Sequence, residues 1–461
     1  MDRILFTAVE VSGILHSDWI GDPVESFADI QIDSRKCGRG TLFIPLEGER
    51  TNGHLYFNDI ADRGTMLSLV AIGWYNENRD LVEKLVNQKG LAFLPVSEPL
   101  IAMQELASYH MRRFPELTVV GITGSNGKTT TKEILGAILS ESMEAVVSEG
   151  NFNSDIGLPL SAFRVEENHE VAVFEMGMNR VGEMDLLASI VRPDLALITN
   201  IGTAHIGPLG SRKAIAEAKK QVFSCFTGSQ IAFIPENDEY RQFLSEGIKG
   251  KVILYGSEST TGVKIKSGFS IEGFDLEVNG YPCHFSLPGD FNLNNVLGAV
   301  AVALEIGIEP ELIARGIGKV EAAFGRGELI KGDVTLLRDC YNANPDSMAE
   351  SLKLLDYWDS RSIAVLGDML ELGDESTEQH RRIGDLAAKS SAQALFLFGE
   401  HMETAFESVK DSGYSGYSFW TSELDSLAEA LKQYLKSGDL VLLKGSRSLA
   451  LERLTDLIVE N

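Results

Sequence analysis

Short, continuously apolar runs rich in β-branched residues recur along the chain. They alternate with stretches whose apolar positions fall at helical spacing. Runs at 119–123, 171–177 and 195–200 have the uninterrupted character of strands buried on both faces of a parallel sheet. Between and after them the pattern predicts helices over 128–142 and 211–226, and an Ala/Val-rich helix opened by the turn at 288–295 and running to 306. A helix is also predicted over 97–114, with Pro115 ending it.

The flanking regions repeat the alternation. Strands are predicted at 30–33, 41–46 and 66–72, with a helix over 54–64, so the first ninety-odd residues read as a small α/β unit. From Phe324 onward, strands at 334–338, 362–369, 394–399 and 440–447 each precede a polar loop and a helical stretch, and a last helix is predicted to reach the terminus. That order argues for a doubly wound, Rossmann-like C-terminal domain. The expected organisation is α/β with three domains: a small N-terminal α/β domain at 1–96, a central parallel sheet for nucleotide binding at 97–322, and the C-terminal domain at 323–461.

The richest stretch follows the run at 119–123. It reads Gly124, Ser125, Asn126, Gly127, Lys128, Thr129, Thr130, so a strand passes through a Gly-rich turn into a helix. Such a turn points backbone N–H groups at phosphates, and the helix N-terminus adds its positive dipole end. Lys128 is placed to reach the terminal phosphates and Thr129 to offer a hydroxyl to Mg²⁺. The longer phosphate-loop pattern has an earlier glycine where this chain has Ile122, so the reading rests on the strand–loop–helix order as well as the motif.

Other candidates sit where parallel sheets bind ligands, at strand C-termini. Glu175 ends the run at 171–175 and reads as an Mg²⁺ carboxylate or a helix-capping residue. His205 lies in the loop after the next run, as ligand or structural histidine. Lys219, beside Lys220 on a helix, reads by pattern as a solvated lysine. Asn292 and Asn295 share a helix face, to cap it or to meet a nucleotide base. The polar loop at 150–159, with Asn153 and Asp155, is either a capped turn or a binding loop. Ser34, Arg35 and the loop at 48–54 either bind a phosphate-bearing ligand or form a solvated turn.

Charge narrows the partners. In 461 residues, 67 acidic side chains against 41 basic ones leave a formal charge of −26. Such a surface repels nucleic acid and anionic lipid, and an anionic substrate needs a local basic pocket. The four cysteines, Cys37, Cys225, Cys283 and Cys340, show no metal-binding spacing and are expected as reduced thiols. No signal peptide and no membrane-spanning run is read, so a cytoplasmic location is expected, with a monomer as the expected state.

These residues together resemble the Mur ligase family. The family loop, Thr-Gly-(Thr/Ser)-Asn-Gly-Lys-Thr, is matched throughout residues 123–129, and the family also lacks the early glycine. Further matches are Glu175, His205, Lys219, Asn292, Asn295, Arg326 and Asp339, and the resemblance spans essentially the whole chain. Residues 341–348, 367–373 and 444–448, with the loop at 48–50, are most similar to the branch that adds D-alanyl-D-alanine to UDP-N-acetylmuramoyl-tripeptide.

The resemblance implies ATP and Mg²⁺ as cofactors, an acyl phosphate on the peptide carboxylate, and attack by the dipeptide amine. It implies Thr129, Glu175 and His205 at the metal, with Lys219 carbamylated as an anionic ligand. It places Asn292 and Asn295 at adenine, Arg326 and Asp339 at ATP, Asn153 and Asp155 at the sugar nucleotide, and Ser34 and Arg35 at the uridine diphosphate. Other expectations remain open here: a Mur-type ligase with a different amino-acid acceptor, or a non-catalytic nucleotide-driven switch.

Overall fold

The computed structural model describes residues 3–48 and 51–459. Glu49 and Arg50, from the loop at 48–54, lie outside the described residues. The backbone packs into two compact units: Met1–Leu117 with Ser148–Ala172 and Leu186–Arg192, and Thr118–Val147 with Val173–Asp185 and Pro193–Asn461.

In the first unit, β1 (Phe6–Thr7) pairs antiparallel with β2 (Ser26–Phe27). Strands β3 (Asp29–Gln31), β4 (Thr41–Phe43), β5 (Leu67–Ala71) and β6 (Ala92–Val96) form a parallel sheet in sequence order. Phe43, Phe57, Val70, Val82 and Phe93 close one face of it, with the Phe57 and Phe93 rings 4.9 Å apart. The helix expected at 54–64 is a 3₁₀ turn, Gly53–Tyr56, followed by the helix Phe57–Asp62. Pro99 opens the helix Pro99–Arg112, where its missing N–H costs nothing.

The second unit carries the nucleotide-type sheet. Its strands are β7 (Thr118–Thr123), β8 (Ala145–Val147), β9 (Val171–Glu175, of which the residues from Val173 belong here), β10 (Leu195–Ile198), β11 (Ile231–Pro235) and β12 (Lys251–Tyr255), in the order β12-β11-β10-β7-β9-β8. The pairs from β7 through β10 and β11 to β12 are parallel. A three-stranded antiparallel sheet follows, of β13 (Val263–Ile265), β14 (Phe274–Val278) and β15 (Tyr281–Phe285), and then the helices Phe291–Ile306 and Pro310–Ile317.

The last sheet contains β16 (Glu328–Ile330), β17 (Thr335–Arg338), β18 (Ser362–Gly367), β19 (Ala394–Phe398), β20 (Tyr417–Thr421) and β21 (Leu440–Lys444), ordered β16-β17-β21-β18-β19-β20. Only β16 runs antiparallel to its neighbour. β21, last in the chain, returns to lie between β17 and β18, so the sheet is not in sequence order. The helix expected to follow β21 without interruption is instead two 3₁₀ turns, Arg447–Leu449 and Leu451–Leu454, before the helix Thr455–Val459. Ala450, at φ 51°, sits between the turns in the left-handed region and breaks the run.

Candidate functional site

The Gly-rich loop leaves β7 at its C-terminal end, and only glycine fits two of its positions. Gly124 has φ 152°, and a Cβ there would lie 1.7 Å from Thr199 Oγ1. Gly127 has φ 80°, and a Cβ there would lie 2.2 Å from Asn295 Oδ1. The chain then enters the helix Lys128–Leu139 with no side-chain cap on its first-turn N–H groups. Uncapped donors at such an end favour an anion.

Two lysines converge on this loop. Lys128 Nζ donates to Gly124 O at 2.9 Å and Ser125 O at 3.4 Å, and Lys219 Nζ donates to the same Gly124 O at 2.9 Å. Burial lowers the pKa of both. Glu175 pulls Lys128 part of the way back, whereas Lys128 pushes Lys219 further down. Thr129 Oγ1 donates to Glu175 Oε2 at 2.7 Å, and both residues are buried.

The solvated-face reading of Lys219 is therefore corrected. The helix Arg212–Lys220 buries Ile215, Ala216, Ala218 and Lys219, because its inner face turns Lys219 into the sheet's end. Lys220 points elsewhere, donating to Phe243 O and Glu246 O, each at 2.6 Å.

Segments from the C-terminal sheet region reach the same loop. Asn344 Nδ2 donates to Asn126 Oδ1 at 2.7 Å, while Asn344 also caps the helix Pro345–Lys353 through a reciprocal box with Ser347. Asp346 Oδ2 accepts from Thr203 N at 2.7 Å and Thr203 Oγ1 at 2.8 Å. Asn126 N donates to Asn200 Oδ1 at 3.0 Å, and Gly202 N to Ser125 Oγ at 2.9 Å.

His205, at φ 64°, places Nδ1 2.8 Å from Glu371 Oε2, and this bond holds the Glu371 carboxyl below its usual range. Arg326 stacks over the Tyr341 ring at 4.2 Å, and its charge is felt at Lys128. Asp339 Oδ2 takes Lys444 Nζ at 2.8 Å and Ser351 Oγ at 2.6 Å, and Lys444 also donates to Asn342 O at 3.1 Å.

Asn292 and Asn295 are buried and linked in series. Thr131 Oγ1 donates to Asn295 Oδ1 at 3.3 Å, Asn295 Nδ2 to Asn292 Oδ1 at 2.9 Å, and Asn292 Nδ2 to Pro288 O at 2.8 Å. The pair ties one helix to another, and neither residue caps its own helix N-terminus.

The remaining candidates lie in the first unit. Arg35 forks onto Asp33 at 2.9 and 2.8 Å with its side chain 83% exposed, and the guanidinium holds the Asp33 carboxyl down to about 2. Ser34 begins the 3₁₀ turn Ser34–Lys36. Asp155 O accepts from Gln104 Nε2 at 2.9 Å, and Asn153 N donates to Asn151 O at 2.7 Å.

For a divalent cation, Thr129 and Glu175 bring two hard oxygens within 2.7 Å of each other. That fits Mg²⁺, which takes one or two protein oxygens and keeps phosphate and water for the rest. Among the described residues no group of three or more His, Cys, Asp and Glu side chains converges to hold a metal. His205 is engaged with Glu371, and Lys219 contributes an amine, not an oxygen. Four residues not singled out from the sequence, Asn344, Asp346, Glu371 and Lys444, make the contacts just described. All belong to the segments that carried the resemblance, at 341–348, 367–373 and 444–448.

A Gly-rich loop at the strand ends of a parallel sheet, with lysines on its carbonyls, defines a phosphate-loop nucleotide-binding α/β protein. The chain belongs to the Mur ligase family: it matches the Mur ligase middle domain over residues 122–303 and the Mur ligase, glutamate ligase domain over 325–447. It is 42% identical to the UDP-N-acetylmuramoyl-tripeptide–D-alanyl-D-alanine ligase of Treponema pallidum, over 94% of each chain. Its fold is similar to MurF from Acinetobacter baumannii, with a TM-score of 0.86 and 29% identity over 99% of both chains. It is also similar to the MurF ligase of Thermotoga maritima in complex with ADP, with a TM-score of 0.79 and 25% identity over 94% of this chain and 97% of that one. No helix among the described residues is long and apolar enough to cross a membrane.

Proposed function

We propose that this chain is an ATP-dependent ligase that joins D-alanyl-D-alanine to UDP-N-acetylmuramoyl-tripeptide in the cytoplasmic synthesis of peptidoglycan precursors. The observation that carries the reading is the meeting of Lys128 and Lys219 on Gly124 O, in a loop that leads into a helix with no side-chain cap on its N-terminus. The whole-length similarity to a ligase of that name supports the acceptor.

The chemistry is a charge problem. The γ-phosphoryl group moves from ATP to the peptide's terminal carboxylate, releasing ADP. The dipeptide amine then attacks the acyl carbon, phosphate leaves from the tetrahedral intermediate, and the amine's proton goes to solvent or a base. Nucleotide and carboxylate are both anionic, so holding them together requires fixed positive charge. Lys128 and the loop amides of Gly124, Gly127, Thr129 and Thr130 supply it, whereas the N–H groups of Ser125 and Asn126, also expected at the phosphates, are taken by Asn200. Thr129 and Glu175 would hold Mg²⁺, which supplies further neutralisation of phosphate charge. A carbamate on Lys219 would give an anionic oxygen ligand where the amine now stands.

Arg326, stacked on Tyr341, and Asp339, held by Lys444, are the ATP contacts expected from residues 323–461. Asn295, packed against Gly127, and Asn292 are the expected base contacts. The region 97–322 is read as the ATP domain and 1–96 as the UDP-substrate domain, with Ser34, Arg35, Asn153 and Asp155 for the sugar nucleotide. The free thiols of Cys37, Cys225, Cys283 and Cys340 suit a reducing compartment.

The test is phosphate release with ATP, UDP-N-acetylmuramoyl-tripeptide and D-alanyl-D-alanine, with the product weighed by mass spectrometry. Release that depends on both peptide substrates and a product heavier by the dipeptide less water are expected. Hydrolysis indifferent to the peptides would overturn the reading in favour of a nucleotide switch. Another amine giving the better product would move it to a different acceptor.

A further inference from the structure

The segment 367–373 meets the short helix Ile206–Leu209 backbone to backbone. Gly207 N donates to Glu371 O at 3.2 Å. A Cβ built on Gly207 would lie 2.6 Å from Glu371 O and 2.7 Å from Gly373 N, so no side chain fits beneath the seated segment. Gly207 does not use a positive φ, so the helix itself accepts alanine there. What excludes alanine is the contact.

Glu371 stands at φ 63°, a conformation that a residue with a Cβ keeps only where its surroundings fix it. Those surroundings are visible. Leu370 N donates to Ser446 Oγ at 3.0 Å, and Met369 N to His380 Nε2 at 3.1 Å. His380 is buried and donates from Nδ1 to Ser376 O at 2.7 Å, which leaves its Nε2 as the acceptor that Met369 needs. This bracing delivers Glu371 Oε2 to within 2.8 Å of His205 Nδ1.

We infer that Glu371 is a positioning residue for His205. Its carboxylate accepts the Nδ1–H, fixing the ring's tautomer and leaving Nε2 as the acceptor, the form in which an imidazole binds a divalent cation. The arrangement exists only while the segment 367–373 is seated on Gly207, so the readiness of His205 depends on that seating. Its consequence for the nucleotide's Mg²⁺ rests on the ligase reading.

The experiment uses the full-length, nucleotide-free protein with ¹⁵N-labelled histidine, and reads the tautomer of the His205 ring. The His205 signal is assigned by its loss in His205→Gln. The wild type is expected to show the Nδ1–H tautomer. Glu371→Ala and Gly207→Ala lose it, the second without removing a side chain from either partner, and Glu371→Gln keeps it through its amide oxygen.

In the ligase assay, Glu371→Ala and Gly207→Ala raise the Mg²⁺ activation constant on the order of tenfold to a hundredfold. The KM for the UDP-peptide stays put, and Leu370→Ala, an exposed change on the same segment, changes neither constant. Retention of the Nδ1–H tautomer and of the wild-type Mg²⁺ response in Glu371→Ala overturns the inference. If Gly207→Ala melts far below the wild type, the contrast between Glu371→Ala and Glu371→Gln decides. A wild type that makes no ligated product sinks the ligase reading, while the tautomer still decides for or against Glu371.

Discussion

Lys128 and Lys219 donate to one acceptor, the carbonyl oxygen of Gly124, each at 2.9 Å. Lys219 is almost wholly buried, and each lysine is pushed toward its neutral form by desolvation. Two ammonium groups on one neutral carbonyl repel each other, and an entering anion relieves that repulsion. The bound phosphates would supply such an anion, and so would a carbamate on Lys219.

Replacing Lys219 by alanine is accordingly expected to lower kcat on the order of a hundredfold or more, since one charge beside the phosphates is worth several kcal/mol. Added formate or acetate should restore part of the loss. With ¹³C-bicarbonate, the wild type should show a carbamate carbon that Lys219→Ala lacks. Lys220→Ala should keep kcat while losing some stability, because it removes ties to Phe243 O and Glu246 O. Equal, mild effects on kcat from both variants would remove Lys219 from the site.

Asn344 joins two jobs: it caps the helix Pro345–Lys353 and it holds Asn126 of the phosphate loop. Asn344→Ala should cost about 1 kcal/mol of local helix stability through the cap, and it should weaken ATP binding through the loop. Asn344→Ser keeps a capping oxygen but cannot span to Asn126. It should therefore retain the melting temperature and still raise the KM for ATP. A Ser variant with wild-type KM would confine Asn344 to the cap.

The sequence made the framework legible because the chemistry there is local. The phosphate loop is contiguous, and the strands β7, β9 and β10 are apolar runs bounded by turns. The edge strand β20 carries no clear signal, because its Tyr-Ser-Phe-Trp-Thr run is only partly buried and lacks the uninterrupted apolar character of β19. Lys219 was hidden by its neighbour: a Lys-Lys pair on a helix looks solvated until the sheet shows which face is inside. Glu371 and Asp346 act on residues far away in sequence, and no periodicity reports such a pairing. Their segments stood out by resemblance, but their roles required the contacts.

Asn295 distinguishes a structural amide from a nucleotide contact. It accepts from Thr131 and donates to Asn292, and its oxygen fills the space beside Gly127. Asn295→Ala should lower stability by about 1–3 kcal/mol, the cost of leaving buried polar partners unpaired. If the base contact also holds, the KM for ATP should rise more than the KM for the UDP-peptide, measured at a temperature where the variant is fully folded. A stability loss with both constants unchanged would leave Asn295 purely structural.

Acid should loosen the first unit through its buried histidines. His54 is buried, with Nδ1 2.7 Å from Asn52 Oδ1, and its Nε2 accepts from Ala71 N at 3.0 Å. A second proton would set N–H against N–H. His110 is buried as well; Nε2 meets Val165 O at 3.0 Å, while Nδ1 is buried with no partner among the described residues. Burial pushes the pKa of each ring down to about 4.

An unfolded histidine titrates near 6.5, so between about 4 and 6.5 the unfolded chain binds more protons. The stabilisation is fully present above that window and is lost as pH falls through it, on the order of 3 kcal/mol for each ring. Asp33 behaves differently. Arg35 holds it down to about 2, so its small contribution persists until pH falls below the ordinary carboxylate range. A chain of two compact units need not unfold in one step, so the local measurement is hydrogen exchange by mass spectrometry. Peptides covering 54–57 and 107–114 should lose protection between about pH 6.5 and pH 4.5. A His54→Gln, His110→Gln double variant should flatten that dependence, because neither amide titrates. Protection in the wild type that stays constant across the window would mean these rings are not held neutral by the fold.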